Sequence, residues 1–192
     1  MDEKLVVELV LAATILVGRA GDVFSTRFAS PDMVLEANAF ARKIGQPLVV
    51  ASFLLAAIPF FSVELGVMVA VPSLFVASSN LFEGWVAHAL GEQQYFELMQ
   101  HAASKLAPRV AHAAILGSAA FIVVASGLLL FISGGSEQLS WYFAWGMLAY
   151  ASALGVHGTS FVRRLYDGLA SSQLQSAEGL TRASSRKRAR VR

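Results

Sequence analysis

Long apolar stretches separated by short polar segments run along most of the chain. A membrane-spanning helix needs about 20 mostly apolar residues. Five stretches are predicted to be such helices, at residues 4–26, 46–62, 66–90, 109–133 and 140–163. The segment SVELG (62–66) is predicted to be a tight turn, although the second and third stretches also fit one broken element. The pattern therefore predicts an all-α polytopic membrane protein, a bundle of five transmembrane helices.

Two of the connecting segments show helical periodicity with one apolar face. In residues 30–44, Ser30 is predicted to cap a helix that begins at Pro31. In the second segment, residues 92–108, the apolar positions recur every three or four residues and polar positions cover the other face. Both segments are predicted to be amphipathic helices at the cytoplasmic membrane interface.

The composition supports a membrane protein. Hydrophobic residues make up 56% of the 192 residues and charged residues only 15%, whereas soluble domains average about 25% charged residues. The chain contains no cysteine, which excludes disulfides, thiol nucleophiles and Cys-ligated zinc sites. The acidic start MDEK does not resemble the basic n-region of a signal peptide, so the first apolar stretch is interpreted as a transmembrane helix.

The distribution of basic residues predicts the orientation of the helices. With five spans and the N-terminus outside, fourteen of the fifteen Lys and Arg residues lie on the cytoplasmic side, and only Lys4 lies outside. This arrangement satisfies the positive-inside rule. We therefore expect a multi-pass protein of the prokaryotic plasma (inner) membrane, with the C-terminus in the cytoplasm.

The C-terminal segment differs in composition from the rest of the chain. Residues 1–168 are predicted to form one transmembrane domain, and residues 169–192 a basic, disordered tail rich in Ser and Arg. The RKRAR sequence is expected to contact anionic lipid headgroups; binding to nucleic acid is the weaker interpretation. Small-residue faces, Ala113 and Gly117 in the fourth helix and the run Ala151, Gly155 and Thr159 in the fifth, are predicted to pack helices together.

Ionisable side chains inside a membrane are costly and are therefore candidates for function. Asp22 and Thr26 share one face of the first helix, and Arg19 is placed to pair with Asp22. Asn80 and Glu83 lie in the inner half of the third helix. His88, His112 and His157 lie at a similar inner depth, where they are candidates for ligand binding or proton relay. A haem or metal site on these histidines has no supporting HExxH motif, so no metal is assigned and the cofactor stays unknown.

The polar segment after the first helix resembles an uncharacterised family of small prokaryotic multi-pass membrane proteins. The resemblance rests on Asp22-x-x-x-Thr26 followed by Glu36-x-Asn38 and Ala-Phe-Ala-Arg, within residues 10–90. In that family the second element is Glu-x-Asn-Pro, and here Ala39 takes the place of the proline. The resemblance implies a membrane domain of unknown function, and it singles out Asp22, Thr26, Glu36 and Asn38.

Three functions are compatible with these features. The preferred one is binding or transport of a small solute or ion at a cytoplasm-facing polar cluster formed by Asp22, Thr26, Glu36, Asn38, Asn80 and Glu83. The second is a structural or accessory subunit that binds a membrane protein partner or forms a homo-oligomer. The third is a membrane redox or metal-dependent enzyme that uses His88, His112 and His157. The P-loop, nucleophile-elbow and dinucleotide-binding motifs of common soluble enzymes are absent from the sequence.

Overall fold

The computed structural model describes residues 2–32, 35, 51–134 and 139–189, with side chains as far as Ser171. The described part of the chain is helical and contains no strand. The elements in chain order are α1 (Glu3–Ala29), a short 3₁₀-helix (Leu54–Phe60), α2 (Val63–Leu90), α3 (Glu92–Ser104), α4 (Pro108–Ile132) and α5 (Leu139–Ala189). The prediction of an all-α protein is confirmed.

Local sequence signals set the helix boundaries. Asp2 caps α1, and its side chain accepts from the Lys4 N–H at 3.2 Å. Ser62 caps α2 in the same way by accepting from the Leu65 N–H at 3.2 Å. Gly91 adopts φ +81°, a left-handed conformation that glycine reaches without strain, and it separates α2 from α3. Pro108 occupies the first turn of α4, where its missing N–H costs nothing.

Two described helices, α2 and α4, are long and apolar enough to cross a membrane. They coincide with the third and fourth predicted spans, and α3 lies within the second predicted amphipathic segment. α1 and α5 are also long, but they are less apolar. The count of five spans and the orientation of the termini stay predictions.

Three boundaries differ from the predictions. The described part of the second predicted span, Ala51–Phe60, is a short apolar helix that is 3₁₀ from Leu54 to Phe60. Pro59 lies inside this 3₁₀-helix and has no N–H to donate to a helical hydrogen bond. Residues 62–66, predicted to be a turn, instead form the start of α2. Ser62 is the N-cap, and the helix begins at Val63, three residues before the predicted start at residue 66. α5 continues to Ala189, through the segment predicted to be disordered. That segment contains no proline, and its Ala, Leu, Gln, Lys and Arg residues favour helix.

α1 and α2 lie against each other and run in the same direction. The contacting residues follow the same order along both helices: Gly18 of α1 meets Ser73 of α2, Gly21 meets Ala77, and Ala29 lies against Gly84. A methyl group added to Gly18 would lie 2.9 Å from the Cβ of Ser73, so the two backbones nearly touch there. Small residues on both faces allow this approach.

α5 completes the bundle by packing on both α2 and α4. It runs parallel to α2, where Gly146 contacts Val71 and the ring of Tyr150 stacks on that of Phe75 at 5.2 Å. It runs antiparallel to α4, where Gly155 meets Ala119 and Gly158 meets Ile115. The phenol of Tyr166 donates to the carbonyls of Ala103 and Leu106, both at 3.0 Å, and so ties α5 to the connection between α3 and α4.

The two predicted small-residue faces differ in what they contact. On α5, Ala151 is buried and Gly155 packs on α4, so this face is used inside the bundle. On α4, a methyl group added to Gly117 would meet no atom of the described residues within 4 Å. The predicted packing role therefore holds for α5, while the Gly117 face of α4 points away from the described helices.

These contacts predict opposite outcomes for two Gly→Ala substitutions. We expect Gly18→Ala to force α1 and α2 apart and to lower the free energy of unfolding by about 1–3 kcal/mol, as overpacking does. Gly117→Ala is the matched control, because it meets open space and exchanges a poor helix former for the best one. Thermal unfolding of both purified variants in an uncharged detergent measures the difference. Equal melting temperatures would contradict the close approach at Gly18.

Candidate functional site

A polar network joins α1 to α2 in the middle of their contact. The Nε and Nη2 of Arg19 donate to the Oγ of Ser73 at 3.2 Å and 2.9 Å. The Nη1 of Arg19 lies 3.6 Å from the Oδ2 of Asp22. The other carboxylate oxygen of Asp22, Oδ1, accepts from the Nδ2 of Asn80 at 2.7 Å. We call Arg19, Asp22, Ser73 and Asn80 the α1–α2 network.

Helical spacing places these groups together. Arg19 and Asp22 are three residues apart and so share one face of α1. Ser73 is fully buried, and its hydroxyl donates to the Val69 carbonyl one turn earlier at 2.7 Å. That internal bond leaves the Ser73 oxygen oriented to accept from Arg19. Each polar group of the network therefore has a partner across the helix contact or within its own helix.

The charged groups of the network are mostly shielded. The side chain of Arg19 is 17% exposed and that of Asp22 is 24% exposed. Their neighbours on both helices are small or apolar residues, which provide little solvation. An ion pair inside apolar helices is expensive to maintain, and such groups are functional candidates by default.

Arg19 and Ser73 are among the residues that line an open groove of about 480 Å³, whose accessible surface is almost entirely apolar. The groove lies between the 3₁₀-helix, α2 and α5, and it extends from Arg19 and Ser73 towards the start of α2. Arg19 and Ser73 are its polar lining residues, and the rest of the lining is apolar. The remaining lining residues are Leu55, Ile58, Phe61, Leu65, Met68, Val69, Pro72 and Ala149.

The predicted cluster is only partly assembled among the described residues. Asp22 and Asn80 meet directly, and the predicted Arg19–Asp22 pair is present. Thr26 lies on the same helix, and its carbonyl accepts from the Ser30 N–H at 2.8 Å. Glu36 and Asn38 lie outside the described residues. Sequence reasoning missed Ser73, which looks like one more small residue of an apolar helix.

Glu83 faces a different part of the molecule. It is exposed near the end of α2, close enough to the α3 residue Tyr95 for its charge to act there. Burial raises the pKa of the Tyr95 phenol, and the negative charge of Glu83 raises that pKa further. Glu83 therefore belongs to the corner between α2 and α3 rather than to the α1–α2 network.

The three candidate histidines lie in separate environments. The Nδ1 of His88 is 2.9 Å from the Phe28 carbonyl, and its ring stacks on that of Phe28 at 3.8 Å. The Nδ1 of His112 is 2.8 Å from the Pro108 carbonyl of its own helix, and His157 is exposed on α5. Within the part of the chain that the structure describes, no three His, Asp or Glu side chains group as a metal site would require.

A second polar contact, not predicted from the sequence, lies where α1 ends. The carboxylate of Glu92, the first residue of α3, accepts from the hydroxyl of Ser30 and from the Asp32 N–H at 2.8 Å. The Ser30 oxygen in turn accepts from the Leu35 N–H at 3.0 Å, five residues on, whereas a helix N-cap accepts from the second or third residue after it. The amphipathic helix predicted at residues 30–44 lies largely outside the described residues and stays a prediction. The Glu92 contact joins the end of α1 to α3. The α1–α2 network remains the main candidate site.

The ion pair of the network predicts a stability effect with an internal control. We expect Asp22→Asn to lower the free energy of unfolding by about 1–3 kcal/mol, less than for a fully buried pair, because it strands the charge of Arg19. Asp167→Asn removes the same type of partner from Arg163 on α5, where both side chains are more than 70% exposed. That control should change stability by less than about 0.5 kcal/mol.

The double variant Arg19→Met/Asp22→Asn separates charge from packing. It removes the stranded charge as well, so it should be more stable than Asp22→Asn alone. Denaturation in an uncharged detergent measures the free energy of unfolding of Asp22→Asn, Asp167→Asn and the double variant. If Asp22→Asn and Asp167→Asn behaved alike, the Arg19–Asp22 pair would not be shielded as described.

Comparison with known proteins identifies no relative. No protein family, no curated protein and no solved structure matches this chain. The resemblance of the Asp22 to Asn38 region to an uncharacterised membrane family therefore stays a prediction, and function has to be argued from the site itself.

Proposed function

We propose that this chain is a five-pass membrane protein of the prokaryotic plasma membrane that binds a small anionic solute at Arg19. The N-terminus lies outside, and the C-terminus lies in the cytoplasm. The observation that carries the binding function is the largely shielded ion pair of Arg19 and Asp22, next to Ser73 and beside the apolar groove. Relative to the six-residue cluster predicted from the sequence, this site keeps Asp22 and Asn80 and adds Arg19 and Ser73.

The parallel course of α1 and α2 supports five crossings. Because Gly18 lies opposite Ser73, Val63 lies near the level of Glu8 on α1. At 1.5 Å per residue the chain must return about 30 Å between Ala29 and Val63. The apolar residues 46–62 lie in this return, and the Ala51–Phe60 part is helical and apolar. α2 and α4 run in opposite directions, and α5 runs parallel to α2. The order of directions agrees with alternating spans one to five.

The outward faces of the helices support a lipid environment. Large apolar side chains are widely exposed on α1, α2 and α4, a surface that a water-soluble monomer does not tolerate. Examples with more than 60% exposure are Val17, Phe24, Phe82, Trp85, Phe121 and Phe131. A bilayer around the bundle would cover these side chains.

The site differs in one respect from the expected cytoplasm-facing cluster. The groove extends from Arg19 towards Phe61 and Leu65 at the start of α2, which is the outer end in the proposed orientation. A guanidinium carries five N–H groups, and within the described residues two of them donate to Ser73. Nη1 also lies 3.6 Å from the Asp22 carboxylate, so an anion that binds Arg19 has to compete with Asp22 for the guanidinium.

The accessory-subunit alternative rests on α4. Among the described residues this helix buries only Ala119 and Ser126, so its apolar outer face is available to a membrane protein partner or a second copy as well as to lipid. α5 continues past the bundle and carries the basic tail on a helical backbone, in keeping with contact to anionic lipid headgroups. The histidine-based redox alternative gains no support from the separated His88, His112 and His157.

Single-cysteine labelling tests the topology without interference, because the chain contains no cysteine of its own. Glu64→Cys at the start of α2 should react with a membrane-impermeant maleimide in intact spheroplasts. Glu97→Cys on α3 should react only after lysis, because α2 crosses the membrane between them. Labelling of both positions from the same side would contradict a spanning α2, and the reverse pattern would contradict the proposed orientation.

Ligand-dependent thermal stability tests anion binding. A ligand that binds only the folded state raises stability by RT ln(1 + [L]/Kd), so acetate, benzoate or inorganic phosphate should raise the melting temperature of the purified protein with a saturable dose dependence. Arg19→Gln should abolish that rise, whereas Arg163→Gln, which removes an exposed charge, should retain it. The same response in both variants, or none in the parent, would contradict binding at Arg19.

A further inference from the structure

Two arginines, Arg109 of α4 and Arg163 of α5, lie at the same level of the bundle. Gly158 of α5 lies against Ile115 of α4, and the two helices are antiparallel. Five residues further along α5 is Arg163, and six residues back along α4 is Arg109. At 1.5 Å per residue the two levels differ by only about 2 Å. Both arginines therefore lie where the apolar helix α4 begins, at the cytoplasmic boundary in the proposed topology.

The two arginines also lie on the same side of the contact between α4 and α5. Gly155 of α5 meets Ala119 of α4. At about 100° per residue, Arg109 is turned by about 80° from Ala119, and Arg163 is turned by about 80° in the same sense from Gly155. In antiparallel helices, equal rotations in the same sense lead to the same side of the pair. Arg109 is exposed, and the Arg163 side chain is 82% exposed, so both reach the same surface.

The charges of this arginine pair are only partly balanced. The Nε of Arg163 lies 3.8 Å from the Oδ2 of Asp167, one turn further along α5. Within the described residues, Arg109 belongs to none of the ion pairs. Two guanidinium groups and one carboxylate leave a net charge of one positive unit. A single anion between Arg109 and Arg163 would offset that charge while it remained in contact with water.

An apolar surface continues from the arginines towards the middle of the helices. Leu116 lies seven residues after Arg109 on α4, and Val156 lies seven residues before Arg163 on α5, each about 10 Å deeper along its axis. Helical rotation places both on the same side of the contact as the arginines. Leu116 is 53% exposed and Val156 is 63% exposed. This side therefore combines a charged end at headgroup level with an apolar surface at acyl-chain depth.

We infer that this side of α4 and α5 binds an anionic phospholipid, with its phosphodiester between Arg109 and Arg163 and an acyl chain along Leu116 and Val156. The inference rests on the proposed membrane topology and not on anion binding at Arg19. Guanidinium groups bind phosphate oxygens in a bidentate manner, and basic pockets between transmembrane helices bind lipid headgroups on the cytoplasmic side. The net charge of the arginine pair selects a lipid with one negative charge, such as phosphatidylglycerol, over zwitterionic phosphatidylcholine.

Native mass spectrometry of the purified protein in an uncharged detergent tests this inference. Phosphatidylglycerol should bind more tightly than phosphatidylcholine with the same acyl chains. Arg109→Gln and Arg163→Gln should each weaken phosphatidylglycerol binding about fivefold, the factor expected for one basic residue at a headgroup. The matched control is Arg27→Gln, which removes an exposed arginine near the end of α1 and should leave binding unchanged. Thermal melts establish that each variant is folded.

Three outcomes would overturn the lipid site. Equal binding of phosphatidylglycerol and phosphatidylcholine would exclude recognition of the charge. Unchanged phosphatidylglycerol binding in both Arg109→Gln and Arg163→Gln would place the headgroup elsewhere, for example on the basic tail. Displacement of phosphatidylglycerol by inorganic phosphate would identify a site for a free anion. Each of these outcomes leaves the topology and the Arg19 site intact, because maleimide labelling and the Arg19→Gln melts test those separately.

Discussion

The contact between Arg19 of α1 and Ser73 of α2 is the interaction on which the rest of this structure depends. Gly18 lets the two helix backbones approach until a methyl group no longer fits, and at that distance the guanidinium of the next residue reaches the Ser73 oxygen at 2.9 Å. Asp22 and Asn80 extend the same contact by about one turn of α1 and two turns of α2. If the bundle lies in a bilayer as proposed, lipid offers no hydrophobic drive for helices to associate, and close packing and polar bonds of this kind fix their register.

That register has consequences for the whole chain. It makes α1 and α2 parallel, so the polypeptide has to return along the bundle before α2 begins, and the 3₁₀-helix packs in that return. The groove exists because this short element and α5 flank α2 without closing over Arg19. A side chain that stabilises the helix pair thus also lines the groove.

Much of this architecture follows from sequence periodicity. The apolar stretches predicted α2 and α4 to within a few residues, and the three-residue spacing of Arg19 and Asp22 predicted their pair. The groove was beyond prediction, because Ser73 and Leu65 acquire their roles only through the position of the 3₁₀-helix. The separation of the three histidines was also beyond prediction. A similar depth along separate helices does not determine the direction in which each side chain points. His112 bonds within its own helix, and His88 stacks on Phe28.

The parallel pairing of α1 and α2 is the central claim, and spin-label distances test it most directly. Two cysteine pairs in the cysteine-free chain suffice: Val10→Cys with Leu65→Cys, and Phe24→Cys with Leu65→Cys, at positions that are all exposed. Dipolar spectroscopy of the protein in lipid nanodiscs should give a shorter distance for 10–65 than for 24–65, because Val10 lies nearer the level of Leu65. A shorter 24–65 distance would mean antiparallel helices and would contradict both the fold and the α1–α2 network.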